Sequence, residues 1–198
     1  MVINLREPYN MEQLTKYLTD FGLDNIQVEE IAAIFSKKIV LKKGDYFHKE
    51  GKICNQIGFI NEGMCRYFYN TESEEVTRWV ALQGEFITSL GSFITKTASN
   101  ENIQAIKTTE ILVASKADWQ NIYDRYDFVK RFWVLTIEQN YIGLENRVFN
   151  LIALTAEERY HWMLKNQPQF NSNVPDKYVS SMLGIKPRHL SRIRANKK

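Results

Sequence analysis

Two cysteines and three histidines are all that the chain has of thiol and imidazole metal ligands. Two thiols cannot complete the four-thiolate ligation of an iron–sulfur cluster within one chain, so Cys54 and Cys65 read as packing residues. His48, His161 and His189 lie in three different segments, too far apart in number to chelate from one strand or helix. No metal site and no cofactor is expected. Long apolar runs are also missing: none passes four or five residues, and the opening MVINLREPYN has no apolar core of signal-peptide length. A membrane span and an export signal are therefore not expected, which points to the cytoplasm. Gly-rich phosphate loops, a nucleophile elbow and zinc-finger spacing are absent, as is any recognisable triad, and no enzyme activity is expected.

What the chain does have is an uneven charge. Its 198 residues carry a net charge of +3, and their length allows one domain with a sizeable core plus a small second one. Residues 174–198, VPDKYVSSMLGIKPRHLSRIRANKK, hold Lys177, Lys186, Arg188, Arg192, Arg194, Lys197 and Lys198 against the single acid Asp176. That tail is +6, which leaves the 173 residues before it at −3. A basic patch on a segment that looks folded is the footprint of a surface that meets phosphates.

The tail has the spacing of two helices. Val179, Met182 and Leu183 recur at helical period, then Leu190 and Ile193 do so again. Gly184 between them is suited to the left-handed conformation that ends a helix, and Pro187 to the first position of the next. Ser180 is small enough for a close crossing, and Ile185 can fill the turn. The spacing predicts a helix–turn–helix over 176–194. Projected at 100° per residue, Leu190 and Ile193 mark the buried side of the second helix. Arg188 and Arg192 fall opposite, with Ser191 beside them and His189 on one flank. Guanidinium groups so placed can donate two hydrogen bonds to guanine in a major groove. Lys177, Arg194, Lys197 and Lys198 suit phosphates, which fix position without reading sequence. Lys186 adds its charge in the turn but is a poor N-cap. The bland alternative is a solvated helical hairpin with a basic end.

Three segments are expected along the chain. Residues 11–35 read as helices, with Leu14, Tyr17, Leu18 and Phe21 on one stripe and Ile31, Ile34 and Phe35 on another. Over 37–116 the period becomes two: Ile39 with Leu41, Ile57 with Phe59, and Cys65 with Tyr67 and Tyr69 alternate with polar neighbours. Turn signals at Lys43-Gly44-Asp45, Glu50-Gly51-Lys52, Asn61-Glu62-Gly63 and Asn70-Thr71-Glu72 separate these runs. Many short strands at such spacing predict a barrel or jelly roll. Helical period returns at 118–125 and runs from about Asp127 to Ala153. There Phe128, Phe132, Leu135 and Ile142 mark one stripe, and Val129, Trp133, Ile137, Tyr141, Leu144, Val148 and Leu151 a second. Two stripes are too much apolar surface for a helix covered on one side, so one is expected to face a partner subunit. Residues 155–170 open with a Thr155-to-Glu158 capping pattern and are expected to form a further helix.

A small β-barrel, a long helix and a helix–turn–helix in that order resemble the Crp–Fnr family of bacterial transcription regulators, in the style of its Bacteroidetes members. The resemblance covers nearly the whole chain. It rests on the glycine-marked strands KKGDYFHKEGKICNQIGFINEGMCRYFY, on EEVTRWVALQGEFI and on the ending GIKPRHLSRIR. It implies an α+β chain with a β-barrel or jelly-roll sensor of cyclic-nucleotide-binding type at 1–120, a dimerisation helix at 121–154 and a DNA-binding domain at 155–198. It also implies a homodimer on a pseudo-palindromic site with half-sites about one helical turn apart. Carried across, the base-reading positions are Arg188 and Arg192, with His189 and Ser191 as additions. Lys186, Arg194 and Lys177 complete the set expected at DNA.

The sensor matches less closely. Members of the family that bind cyclic AMP have a Gly-Glu-Leu turn, whose acid takes the ribose hydroxyl, and a later Arg-Ser pair for the phosphate. Here Gly84-Glu85-Phe86 keeps the turn in altered form, and the second piece falls at Ser99-Asn100-Glu101 without an arginine. A carboxylate where a phosphate should sit is electrostatically wrong. Gly84, Glu85, Ser99 and Asn100 are the candidate effector residues, and control by cyclic AMP is not expected. The partners expected are double-stranded DNA, a second copy of the chain, a small-molecule effector of unknown identity and RNA polymerase, with no membrane. The competing expectation is a ligand-sensing module that acts through protein partners.

Overall fold

The structure, a computed structural model, describes residues 10–195. Lys197, Lys198 and most of the opening decapeptide lie outside the described residues. The element order is α1 (Glu12–Asp20), α2 (Asn25–Ala33), β1 (Lys37–Leu41), β2 (Tyr46–His48), β3 (Gln56–Glu62), β4 (Met64–Asn70), β5 (Glu75–Leu82) and β6 (Phe86–Ile87). There follow α3 (Leu90–Thr95), β7 (Asn102–Ala105), β8 (Thr109–Ser115), α4 (Lys116–Arg125), α5 (Asp127–Ala153), α6 (Ala156–Asn166), α7 (Gln169–Asn173), α8 (Asp176–Met182) and α9 (Pro187–Ala195). The α+β architecture is the expected one: two short helices, then the strands, then a long helix and further short helices.

The strands form two four-stranded sheets, in the orders β1-β8-β3-β6 and β2-β7-β4-β5. β8 is antiparallel to β1, with Lys37 opposite Val113 and Leu41 opposite Thr109, and to β3, with Phe59 opposite Leu112. Phe59, Ile60, Ile87, Ile103, Ile111 and Leu112 are fully buried. Truncating any one of them to alanine is expected to cost about 2–5 kcal/mol.

Strict alternation does not hold in the central strands. Ile57 through Asn61 are all buried in β3, and Met64 through Phe68 in β4. Both faces of these strands are covered, so the polar positions between Cys65 and Tyr67 are inside as well. Arg66 is accommodated there by Gln104, whose Oε1 accepts from Nε at 3.0 Å and from Nη2 at 2.6 Å. Conversely Ile39 and Leu41 are only half-buried, because β1 is the edge of its sheet. Both cysteines are free and buried, and burial pushes the Cys65 thiol up to about 12. Burial also holds the His48 imidazole below its ordinary value, against the pull of Glu101, and its Nε2 has no hydrogen-bond partner among the described residues.

Two helices differ from expectation. α3 interrupts the strand segment, and the helix expected over 155–170 is split in two. α6 ends at Asn166 because Pro168 follows, and proline disfavours the helical conformation of the residue before it. The capping box that opens α6 is present: Thr155 Oγ1 accepts from Glu158 N at 3.3 Å, and Glu158 Oε2 accepts from Thr155 N at 2.8 Å. The hydrogen bonds from Thr155 hold the Glu158 carboxyl below its ordinary value.

The chain divides into two compact units. One holds Met1–Arg66 with Ala81–Lys130; the other holds Tyr67–Val80 with Arg131–Lys198. The far half of the β4–β5 hairpin thus belongs with the C-terminal helices. Along α5, Val129 and Phe132 are buried, while Leu135 and Ile142 of the first apolar stripe and Tyr141, Leu144, Val148 and Leu151 of the second are exposed. No described helix is long and apolar enough to cross a membrane.

The β3–β4 turn gives a sharp test of the sheet packing. Gly63 has φ +103°, and a Cβ there would lie 2.5 Å from Thr109 Oγ1 and 2.6 Å from Thr109 Cα. Gly63→Ala is expected to cost about 2–4 kcal/mol, because both the backbone strain and the overlap with fixed backbone must be relieved. Gly143→Ala in α5, which meets nothing within 4 Å, is expected to gain about 0.5–1 kcal/mol from helix propensity. Urea unfolding midpoints of the two variants check this.

Candidate nucleic-acid interface

The turn between α8 and α9 is closed by backbone bonds. Gly184 takes φ +68°, Ile185 N donates to Ser180 O at 3.0 Å, and Gly184 N donates to Ser181 O at 3.0 Å. These are the paired bonds of a Schellman ending, which satisfies the last carbonyls of α8. Ser180 is 1% exposed and donates its hydroxyl to Lys177 O. Val179, Met182, Leu183, Leu190 and Ile193 are buried, as their spacing predicted.

With Leu190 and Ile193 turned inward, Arg188, His189, Ser191 and Arg192 are exposed on α9. The guanidinium groups of Arg188 and Arg192 make no hydrogen bond or ion pair among the described residues. Ser191 donates its hydroxyl to Pro187 O at 3.2 Å. Lys177 is exposed, its ammonium 4.6 Å from the centre of the Tyr178 ring. Lys186 pairs with Glu74 Oε2 at 3.3 Å.

Arg194 has a different place from the one its charge suggested. It donates from Nη1 to both carboxylate oxygens of Asp176 at 2.7 Å, from Nε to the Tyr160 hydroxyl at 3.2 Å and from Nη2 to Asn171 Oδ1 at 3.2 Å. Burial works to lower its pKa, but the hydrogen bonds to Asp176 and Tyr160 outweigh that and hold it above the ordinary arginine value. Arg194 thus ties α9 to α8, α6 and α7. Arg159 does similar work on the other side, donating to Leu183 O at 2.9 Å and Leu154 O at 2.6 Å.

Sequence reasoning missed the support from the β4–β5 hairpin. Thr77 N donates to Ser181 Oγ at 2.8 Å, and the Trp79 ring meets Phe170 edge-on at 5.1 Å. Glu74 supplies the partner of Lys186. These partners lie about a hundred positions before α8 in the chain, so no local pattern announces them.

Residues 38–126 match the cyclic nucleotide-binding domain family. Three solved structures share the architecture at low identity. FixK2 from Bradyrhizobium japonicum has a TM-score of 0.70 at 13% identity, covering 80% of this chain and 82% of its own. CooA from Carboxydothermus hydrogenoformans has a TM-score of 0.68 at 16%, covering 92% and 83%. The c-di-GMP responsive global regulator CLP from Xanthomonas campestris has a TM-score of 0.67 at 14%, covering 87% and 90%. The chain shares its fold with these three proteins. No curated protein matches the sequence significantly.

Within the segment that matches the cyclic nucleotide-binding domain, the four candidate effector residues have separate surroundings. Gly84 has φ +84° and donates its N–H to Ile60 O at 2.9 Å, while Glu85 O accepts from Ile60 N at 3.0 Å. Glu85 is half-buried, and its charge adds to burial in raising the Tyr17 phenol. Ser99 is buried; its hydroxyl lies 2.9 Å from that of Ser89 and accepts from Glu101 N at 3.0 Å. Asn100 is exposed. No group of three or more His, Cys, Asp or Glu able to hold a metal occurs among the described residues.

The Arg194 network sets an expectation. Arg194→Ala leaves the buried Tyr160 hydroxyl and Asn171 without this donor, and should lower unfolding stability by about 1–2 kcal/mol, after allowance for the half-exposed Asp176. Arg194→Lys should recover only part of the loss, since an ammonium cannot reproduce the planar fork. Thermal unfolding of the three proteins checks the order.

Proposed function

We propose that this chain is a sequence-specific DNA-binding transcription regulator that works as a homodimer and is not controlled by cyclic AMP. The observation that carries the reading is the outer face of α9. Arg188 and Arg192 stand exposed and unpaired there, opposite a buried Leu190 and Ile193, in a chain with the fold of transcription regulators. Two arginines one helical turn apart on an exposed face suit guanine edges in a major groove. Lys177 suits phosphate; His189 and Ser191 flank the reading face, and Lys186 stays near it while paired with Glu74. Arg194 contributes by fixing the face, not by touching DNA. A regulator whose output is DNA binding needs no catalytic group.

The homodimer reading rests on α5. Val134, Leu135, Tyr141, Ile142, Leu144, Val148, Phe149, Leu151 and Ile152 are 42–81% exposed on a single 27-residue helix. Apolar surface of that extent on one helix marks an interface. A two-fold axis along it would present two copies of α9 to successive grooves. Independence from cyclic AMP is supported by the absence of an arginine at 99–101 and by the buried Glu101. The Ser99 hydroxyl, engaged with Ser89 and Glu101, adds to that.

Genome-wide mapping of bound sites followed by fluorescence anisotropy on the recovered sequence tests the regulator. Binding should be specific for a palindrome and weaken steeply with salt. Arg188→Ala or Arg192→Ala should each cost about 1–3 kcal/mol on that site and relax discrimination at one base position, whereas Lys177→Ala should weaken all sequences alike. Equal affinity for random DNA would sink the reading.

Dimerisation is tested separately by sedimentation. Leu144→Asp combined with Val148→Asp should convert the protein to monomers with unchanged helical content, since two charges would be buried in an apolar interface. A wild-type protein that sediments as a monomer at micromolar concentration would contradict the assignment of α5.

A further inference from the structure

Arg147 has a position that the regulator reading leaves unexplained. It projects from α5 within the helical unit, is half-buried, and makes no hydrogen bond or ion pair among the described residues. Arg159 and Arg194, by contrast, are engaged by carbonyls, a carboxylate and a phenol. The charge nearest in effect to Arg147 is another cation, Arg78; burial and that repulsion both depress its pKa, with Tyr69 acting the other way. A partly desolvated guanidinium facing a like charge is costly, and such a group is normally paired.

A cleft opens at this residue. It is shallow, with room for about 50 Å³ inside a hollow of about 470 Å³ that includes open solvent, and every residue lining it belongs to the helical unit. Its apolar wall is built from Trp79, Trp162, Met163 and Met182, and its polar groups are Arg147, Asn150, Arg159 and Gln167. Asn150 is 7% exposed and makes no side-chain hydrogen bond among the described residues. Gly143 leaves one side open, since no Cβ stands there. A concave apolar site with a few convergent polar groups is the ordinary form of a small-molecule site.

We propose that this cleft binds a small aromatic carboxylate, its anionic end on Arg147 and Asn150 and its ring against Trp79 and Trp162. The guanidinium fork matches a carboxylate with two parallel hydrogen bonds, and the amide of Asn150 supplies another donor. A phosphate dianion fits less well, because Arg159, the other arginine of the lining, is already engaged by Leu183 O and Leu154 O, which leaves one guanidinium for two charges. The tryptophans and methionines favour a flat, polarisable body over an aliphatic chain. The site also touches Met182 and Leu183, the residues just before Gly184, so an occupant bears on the end of α8 from which the turn starts. Binding itself does not depend on the DNA-binding reading.

The test uses the whole chain without DNA and sodium benzoate as the probe. Titration calorimetry should show one benzoate per chain. Saturation should raise the Tm by several degrees and alter tryptophan fluorescence, a change that Trp162→Phe diminishes. Benzyl alcohol, with the ring but not the charge, should bind at least about tenfold more weakly, and sodium phosphate should give no saturable response. Arg147→Met should lose at least about tenfold in benzoate affinity while the unliganded protein keeps or gains thermal stability, since an unpaired charge is replaced by an apolar chain of similar length. Arg147→Lys, which keeps the charge, should fall between the two and serves as the readout if the methionine variant does not fold. No benzoate response at about 10 mM, a phosphate response equal to that of benzoate, or an Arg147→Met or Arg147→Lys protein that binds benzoate like the wild type would each overturn the proposal.

Discussion

The left-handed backbone of Gly184 is the constraint on which the arrangement of the C-terminal helices depends. A Cβ there would meet only Leu151 Cδ2 at 3.6 Å, an ordinary contact, so space is not the issue. The dihedral is: φ +68° costs an L side chain strain that glycine avoids. That single angle lets the N–H groups of Gly184 and Ile185 cap α8 and sends the chain into Pro187 without a side-chain cap. Once α9 starts there, burial of Leu190 and Ile193 fixes its rotation, and the exposure of Arg188 and Arg192 follows from helical geometry.

What was legible in the sequence is what local chemistry decides. The bounds of α5, the capping box of Thr155 and Glu158, the glycine turn and the inward positions of α8 and α9 each depend on residues within a few positions of one another. What was not legible depends on partners far away in number. Ser181 receives the N–H of Thr77 and Lys186 meets Glu74, at separations of 104 and 112 residues. The alternation expected around Cys65 failed for a related reason: a period of two appears only when one face of a strand is solvated, and β4 is covered on both.

The sensor candidates show the same limit from the other side. The Gly84-Glu85 turn was visible as a turn, and its backbone does hold to Ile60 of β3. The sequence showed Ser99 as a hydroxyl near a missing arginine, but not that this hydroxyl is already engaged by Ser89 and Glu101. A polar residue named from a motif is available to a ligand only if its own fold leaves it a free lone pair or proton. Ser99 is buried and committed, whereas Asn100 beside it is exposed.

Charge counted along the chain and charge presented at a surface are different quantities. The tail holds seven cations against one acid. Asp176 takes Arg194, however, and Glu74, from outside the tail, takes Lys186. Among the described tail residues that leaves Lys177, Arg188 and Arg192 as cations without a carboxylate partner, two of them on the outer face of α9. The same side chain therefore has three roles in the helical unit. Arg159 and Arg194 fasten helices, because carbonyls and a carboxylate lie within reach. Arg188 and Arg192 stand exposed without a carboxylate partner among the described residues. Arg147 is neither fastened nor fully hydrated, and a guanidinium in that state is held at a cost that an anion from outside the chain can relieve.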